Sequence, residues 1–124
     1  MKKKVFTRIL SLVLAAALLC SLPMFAQAAV STGSAGGSTR WAYDSSARTL
    51  TFTGSGSTGD YRWSSSAAGK CTYMSALMKS RTVAVKEGIT RLGDSFLANG
   101  GNSISSVSLP QYLREIGPFA FMGT

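Results

Sequence analysis

Two stretches near the end of the chain carry the same order of apolar and polar positions, 24 residues apart. Laid back by that distance, Val107–Met122 falls on Val83–Ala98: Val107-Ser108-Leu109 meets Val83-Ala84-Val85, Leu113 meets Ile89, and Ile116-Gly117 meets Leu92-Gly93. Self-similarity with a period in the twenties is the mark of a solenoid, in which each turn offers a short strand, bends, and stacks its apolar side on the next turn. In Thr82–Val85 and Ser106–Leu109 apolar residues alternate with small or polar ones, so each predicts a strand with one buried face. Gly88 and Pro110 mark the bends that follow. Ile89 and Leu92, like Leu113 and Ile116, are three apart and suit a tight turn that tucks both inward. Gly93 and Gly117 then call for positive φ or close approach to the next coil. Phe96, and Phe119 or Phe121, fill the interior on the far side.

The second unit, Val107-Ser108-Leu109-Pro110-Gln111-Tyr112-Leu113-Arg114-Glu115-Ile116-Gly117-Pro118-Phe119-Ala120-Phe121, resembles the repeat of the BspA-type leucine-rich repeats of bacterial surface proteins. The pattern there is apolar-x-apolar-Pro, apolar-x-x-Ile-Gly, two residues, Ala-Phe and a nearby Cys. Val83–Asp94 resembles the Glu-Gly-Val-Thr-x-Ile-Gly variant that opens such arrays. Trp41–Asp44, Leu50–Gly56 and Asp60-Tyr61 resemble the β segment that precedes the first repeat. The resemblance implies a mostly β fold: an N-terminal β-hairpin cap over residues 40–80, then the first two coils of a leucine-rich-repeat solenoid over 81–124. The Cys position is Thr124 in the second unit. In the first it is Gly100 without a gap, or Asn99 if one residue is deleted after Asp94. The deleted version is preferred, because Asn hydrogen-bonds a turn backbone; Gly100–Ser103 would then form a longer loop.

Upstream, Met1–Arg8 is a basic leader and Ile9–Leu19 an apolar run broken only by Ser11, followed by Ala26-Gln27-Ala28. This is the layout of a secretory signal peptide cleaved after Ala28; the run is too short for a membrane span of about 20 residues. Leu19 before Cys20 argues against lipoprotein processing. Residues 29–39 read as a flexible lead-in of Ser, Thr, Gly and Ala. Trp41 and Tyr43 share a face, Asp44–Ala47 turns, and Leu50 and Phe52 share a face among threonines, which predicts a hairpin capping the first coil. Gly54–Gly59 reads as a loop. Thr72–Lys79 predicts two helical turns with Thr72 as N-cap and Met74, Leu77 and Met78 on one side.

Chemistry is sparse. The 13 Lys and Arg include Lys2, Lys3, Lys4 and Arg8 of the leader, so the processed chain carries nine basic against five acidic residues and a net charge of +4. The nine are scattered, with none of the clustering that nucleic acid requires; weak long-range attraction to anionic polymers is what remains. Cys71, alone after processing, makes no internal disulfide. With no histidine, the usual general base and commonest metal ligand are missing, and no cofactor is expected. Asp44, Asp60, Glu87, Asp94 and Glu115 stand singly at turn-like positions. Trp41, Tyr43, Tyr61 and Trp63 form either a sugar-stacking platform or the packing between cap and first coil.

The expectation is a non-catalytic module, secreted or at the cell surface, that offers a repeat surface to an extracellular protein or glycan on host or neighbouring cells. Thr82, Ala84, Lys86, Ser106 and Ser108 point outward from the strands, and Trp63 is a further candidate contact. The alternative is the carbohydrate-binding part of a larger secreted polysaccharide-active enzyme. Because the chain stops as the second coil turns toward a third strand, it reads as the start of a longer array; otherwise it is a short protein that self-associates through the open coil.

Overall fold

A computed structural model describes residues 29–61, 71–101 and 103–124. The predicted leader, its cleavage site at Ala28, and Trp63 lie outside the described residues. The fold is mostly β, with strands β1 (Val30–Ser34), β2 (Ser38–Asp44), β3 (Thr49–Ser57), β4 (Thr82–Val85), β5 (Ile89–Leu92), β6 (Ser106–Ser108) and β7 (Glu115–Ile116), and one short helix, α1 (Met74–Lys79).

The sheet runs β1-β2-β3-β4-β6, with β5 pairing β3 and β7. Strands β1, β2 and β3 are antiparallel; β3 then pairs in parallel with β4, and β4 with β6. The 24-residue shift of the sequence is the register of both last ladders: Thr82, Val83 and Ala84 lie beside Ser106, Val107 and Ser108, and Arg91 and Leu92 beside Glu115 and Ile116. The strand β3 also serves as an edge for both parts of the first unit. Its first half pairs with β4, it bends at Gly54 and Gly56, both at positive φ, and Gly56 and Ser57 then pair with β5.

The turn that follows Leu92 settles the register of the first unit. Ser95 and Phe119 share positive φ (58° and 59°), as do Asn99 and Gly123 (62° and 70°). Ala98 N–H bonds the Ser95 carbonyl just as Met122 N–H bonds that of Phe119. The two units therefore align without a gap: Phe96 stands at the position of Ala120, and Leu97 at that of Phe121. The preferred one-residue deletion is corrected, because it would move left-handed residues onto right-handed positions.

Four further expectations change. Residues 29–39 are not a flexible lead-in, since β1 pairs with β2 from Val30 to Ser34 and Ala29 accepts hydrogen bonds from the backbone and hydroxyl of Ser45. Gly54–Ser57 belongs to β3 and is not a loop. Thr72 does not cap α1; its hydroxyl donates to the Ser34 carbonyl at 2.7 Å and accepts the Trp41 indole N–H at 2.8 Å. Met78 is 60% exposed, so the inward side of α1 is Ala76 and Leu77, with Met74 half-buried.

Between sheet and helix sits one apolar core. Leu50, Phe52, Val83, Val85, Ile89, Leu92, Phe96 and Leu97 are buried in it. Tyr73 is fully buried, packs edge-on to Phe52 with ring centroids 4.9 Å apart, and donates its hydroxyl to the Phe96 carbonyl at 2.6 Å. A tyrosine so deep satisfies its one polar atom in this way.

Gly93 and Gly117 hold their places through close approach and not through positive φ. A Cβ on Gly93 would lie 2.6 Å from the Gly59 carbonyl carbon and closer still to its oxygen; one on Gly117 would lie 2.7 Å from the Asp94 nitrogen and the Gly93 carbonyl carbon. Each glycine lets one coil's backbone rest directly on the last.

Candidate binding face

Alternation along β3 and β4 turns Leu50, Phe52, Val83 and Val85 inward and leaves the intervening residues on the opposite face. Register then sorts those residues into rows. Thr49, Thr82 and Ser106 stand side by side in one row, and Thr51, Ala84 and Ser108 in the next. Neighbouring strands lie about 4.8 Å apart, so the row members touch; the Ser106 hydroxyl donates to that of Thr82 at 3.3 Å. Exposed Lys86 follows β4 and places a cation at one end of the rows, its backbone N–H bonding the Phe52 carbonyl, while Arg48 and exposed Arg81 precede Thr49 and Thr82 at the other end.

Thr82, Ala84, Lys86, Ser106 and Ser108 are thus brought together. Thr49 and Thr51 share their face and were missed, since nothing local in the sequence tells that β3 pairs in parallel with β4, across the whole of residues 58–81. Trp41, Tyr43 and Tyr61, three members of the proposed aromatic platform, are buried. Their role among the described residues is packing: Tyr61 stacks edge-on to Tyr73 at 5.5 Å.

The carboxylates are engaged in turns and between coils. Asp44 accepts the N–H groups of Ser46 and Ala47, closing the hairpin turn, and Asp94 accepts the Ser95 hydroxyl. Asp60 accepts the Asp94 N–H at 2.8 Å and Glu87 the Gln111 N–H at 2.7 Å, so each fastens the coil that follows. Arg91 bridges Asp60 at 3.0 Å and Glu115 at 3.3 Å. Hydrogen bonds to these two carboxylates raise its already high pKa.

Cys71 is a free, buried thiol. Burial pushes it up, partly offset by hydrogen bonds from Tyr73 and Met74. Burial, and then the neighbouring Cys71, push the Tyr61 phenol up to about 12, and burial raises Tyr73 well above the usual phenol value. The cluster is held neutral, unlike the lowered-pKa setting of a nucleophilic thiol. Among the described residues no group of three or more acidic, cysteine or histidine side chains is arranged to hold a metal ion.

A leucine-rich repeat protein from Eubacterium ventriosum is similar in structure over 77% of this chain, with a TM-score of 0.67 and 21% sequence identity. This chain spans 24% of that protein's length. No protein-family model and no curated protein sequence matches. The fold is of the leucine-rich-repeat type.

Proposed function

We propose that this chain is a non-catalytic binding module, secreted or held at the cell surface, that offers the outward rows of its sheet to an extracellular protein. The observation that carries the reading is the register of those rows: Thr49, Thr82 and Ser106, with Thr51, Ala84 and Ser108, form a smooth face of small side chains across three parallel strands. Small side chains leave such a face open to close approach by a partner, and Lys86 at its margin favours an acidic one. The basic leader and the Ala26-Gln27-Ala28 site support export. The repeat pattern supports a BspA-type array with β2 and β3 as its cap, of which this sequence would be the N-terminal portion.

Export is tested by N-terminal sequencing of the product released by the native host, where a start at Ala29 is expected. Binding is tested on an array of extracellular host proteins, run beside a glycan array. Ala84→Arg and Ser108→Arg should lower a protein signal at least tenfold, for these residues project outward, and leave the urea midpoint unchanged. A glycan signal, or protein binding indifferent to both substitutions, would refute the proposal.

A further inference from the structure

The outward face of the sheet reaches beyond the three parallel strands. Pairing of β1 with β2 and of β2 with β3 adds Thr32 and Ala42 to the row of Thr51, Ala84 and Ser108. The next row holds Ser34, Arg40 and Thr53. Lys86 comes level with them, for it follows the paired Phe52 and Val85 and its N–H bonds the Phe52 carbonyl at 2.9 Å. Arg40, Thr53 and Lys86 are exposed, whereas their chain neighbours Thr39, Trp41, Phe52 and Val85 are buried on the other side. Strands lie about 4.8 Å apart, so Arg40 and Lys86 flank Thr53 with roughly 10 Å between their backbones. Side chains of this length can close on one small anion above the Thr53 hydroxyl.

Nothing in the described fold neutralises these two cations. The side chains of Arg40 and Lys86 form no ion pair or hydrogen bond among the described residues. The chain has five carboxylates, and each is committed elsewhere. Asp44 closes the hairpin turn at the opposite end of the face, Asp60 and Glu115 hold Arg91, and Asp94 accepts the Ser95 hydroxyl. Glu87, next after Lys86, accepts the Gln111 N–H of the following coil. The charge that completes this corner must therefore come from a partner. Sugar rings would need an aromatic surface to stack on, and Trp41 and Tyr43 are buried behind the rows. A further coil beside β6 would widen the rows and leave Arg40, Thr53 and Lys86 uncovered.

We propose that Arg40, Thr53 and Lys86 form a seat for a carboxylate on an acidic, extended segment of the partner protein. The two cations pair with its oxygens and the Thr53 hydroxyl donates to one of them. The seat rests on the outward rows being the binding face. The probe is fluorescein-labelled hexaglutamate, titrated by fluorescence anisotropy against the full chain expressed with its own leader, beside hexaglutamine and the polysaccharide polygalacturonate. Saturable binding of hexaglutamate alone is expected, weakening at least tenfold between about 20 and 200 mM salt as screening shortens the reach of the charges. Arg40→Gln with Lys86→Gln should weaken it at least tenfold and Thr53→Val at least twofold, with the urea midpoint unchanged because all three side chains are exposed. Arg81→Gln with Arg114→Gln removes the same charge from exposed positions outside the seat and should change affinity less than threefold. No binding of hexaglutamate, equal losses from the two double substitutions, or polygalacturonate binding as tight as the peptide would overturn the proposal. Array proteins that lose binding with Ala84→Arg but not with the Arg40 and Lys86 pair would overturn the seat and leave the binding face standing. Protein binding indifferent to Ala84→Arg, Ser108→Arg and the pair alike would overturn both.

Discussion

Gly93→Ala gives the most direct reading of how the coils are held. The new methyl group would be driven into the Gly59 peptide, so residues 58–60 must retreat. The hydrogen bonds that tie that segment down include Thr58 N–H to the Arg91 carbonyl at 3.1 Å, Gly59 N–H to the Ala35 carbonyl at 2.8 Å, Gly93 N–H to the Thr58 hydroxyl at 2.7 Å, Asp94 N–H to Asp60 at 2.8 Å, and Tyr61 N–H to the Asp94 carbonyl at 2.8 Å. Two or three of them would be lost or stretched, at about 1 kcal/mol net each, which totals about 2–3 kcal/mol. A stiffer unfolded chain returns about 0.4–1 kcal/mol. The expected loss is therefore about 1–3 kcal/mol, centred near 2, or roughly 1 M in the urea midpoint at a typical slope for a small domain. Fluorescence of buried Trp41 reports the transition. Gly117→Ala is the matched control: its methyl would come no nearer than 2.7 Å to the backbone of Gly93 and Asp94, a milder overlap than at Gly93, so about 1 kcal/mol is expected. Equal effects, a larger effect at Gly117, or a loss at Gly93 under 0.5 kcal/mol, below the scale of one hydrogen bond, would refute stacking by backbone approach.

Three other outcomes follow from the same contacts. Tyr73→Phe orphans the buried Phe96 carbonyl and should lower stability by about 1–3 kcal/mol with little change in near-ultraviolet signal shape, read by urea titration. Alkaline titration should destabilise the fold: Tyr61 ionises near 10.0 when unfolded but at about 12 when folded, so the folded state holds its proton more tightly, and the stability it contributes is intact below pH 10 and lost as pH rises toward 12. Tyr61→Phe should flatten that part of the pH profile. Cys71 should react with a thiol-specific disulfide reagent at least tenfold more slowly in buffer than in urea, because it is buried and its thiol form is favoured; equal rates would place it at the surface.

Period and alternation are local properties, and they were legible. The 24-residue shift became the ladder register of β4 with β6 and β5 with β7, and the alternation over 82–85 became the buried Val83 and Val85. The paired glycines were legible too, although only the structure decided between positive φ and close approach. What stayed hidden was contributed by partners distant in sequence. Val30–Ser34 has no apolar alternation, and its order comes from hydrogen bonds to β2 rather than from burial of its own side chains. Thr72 follows the sequence rule for a cap but is engaged by Ser34 and Trp41, more than thirty residues away. The register after Asp94 depended on backbone handedness at Ser95 and Asn99, which side-chain identity at those positions did not announce. Thr49 and Thr51 joined the candidate face only because β3 lies parallel to β4. Sequence by itself determined which residues repeat and which side of each strand is apolar, since these follow from chain geometry over a few residues. Tertiary structure alone decided which strands are neighbours and where one coil's backbone rests on the next, since edges and close approaches exist only once distant segments have packed.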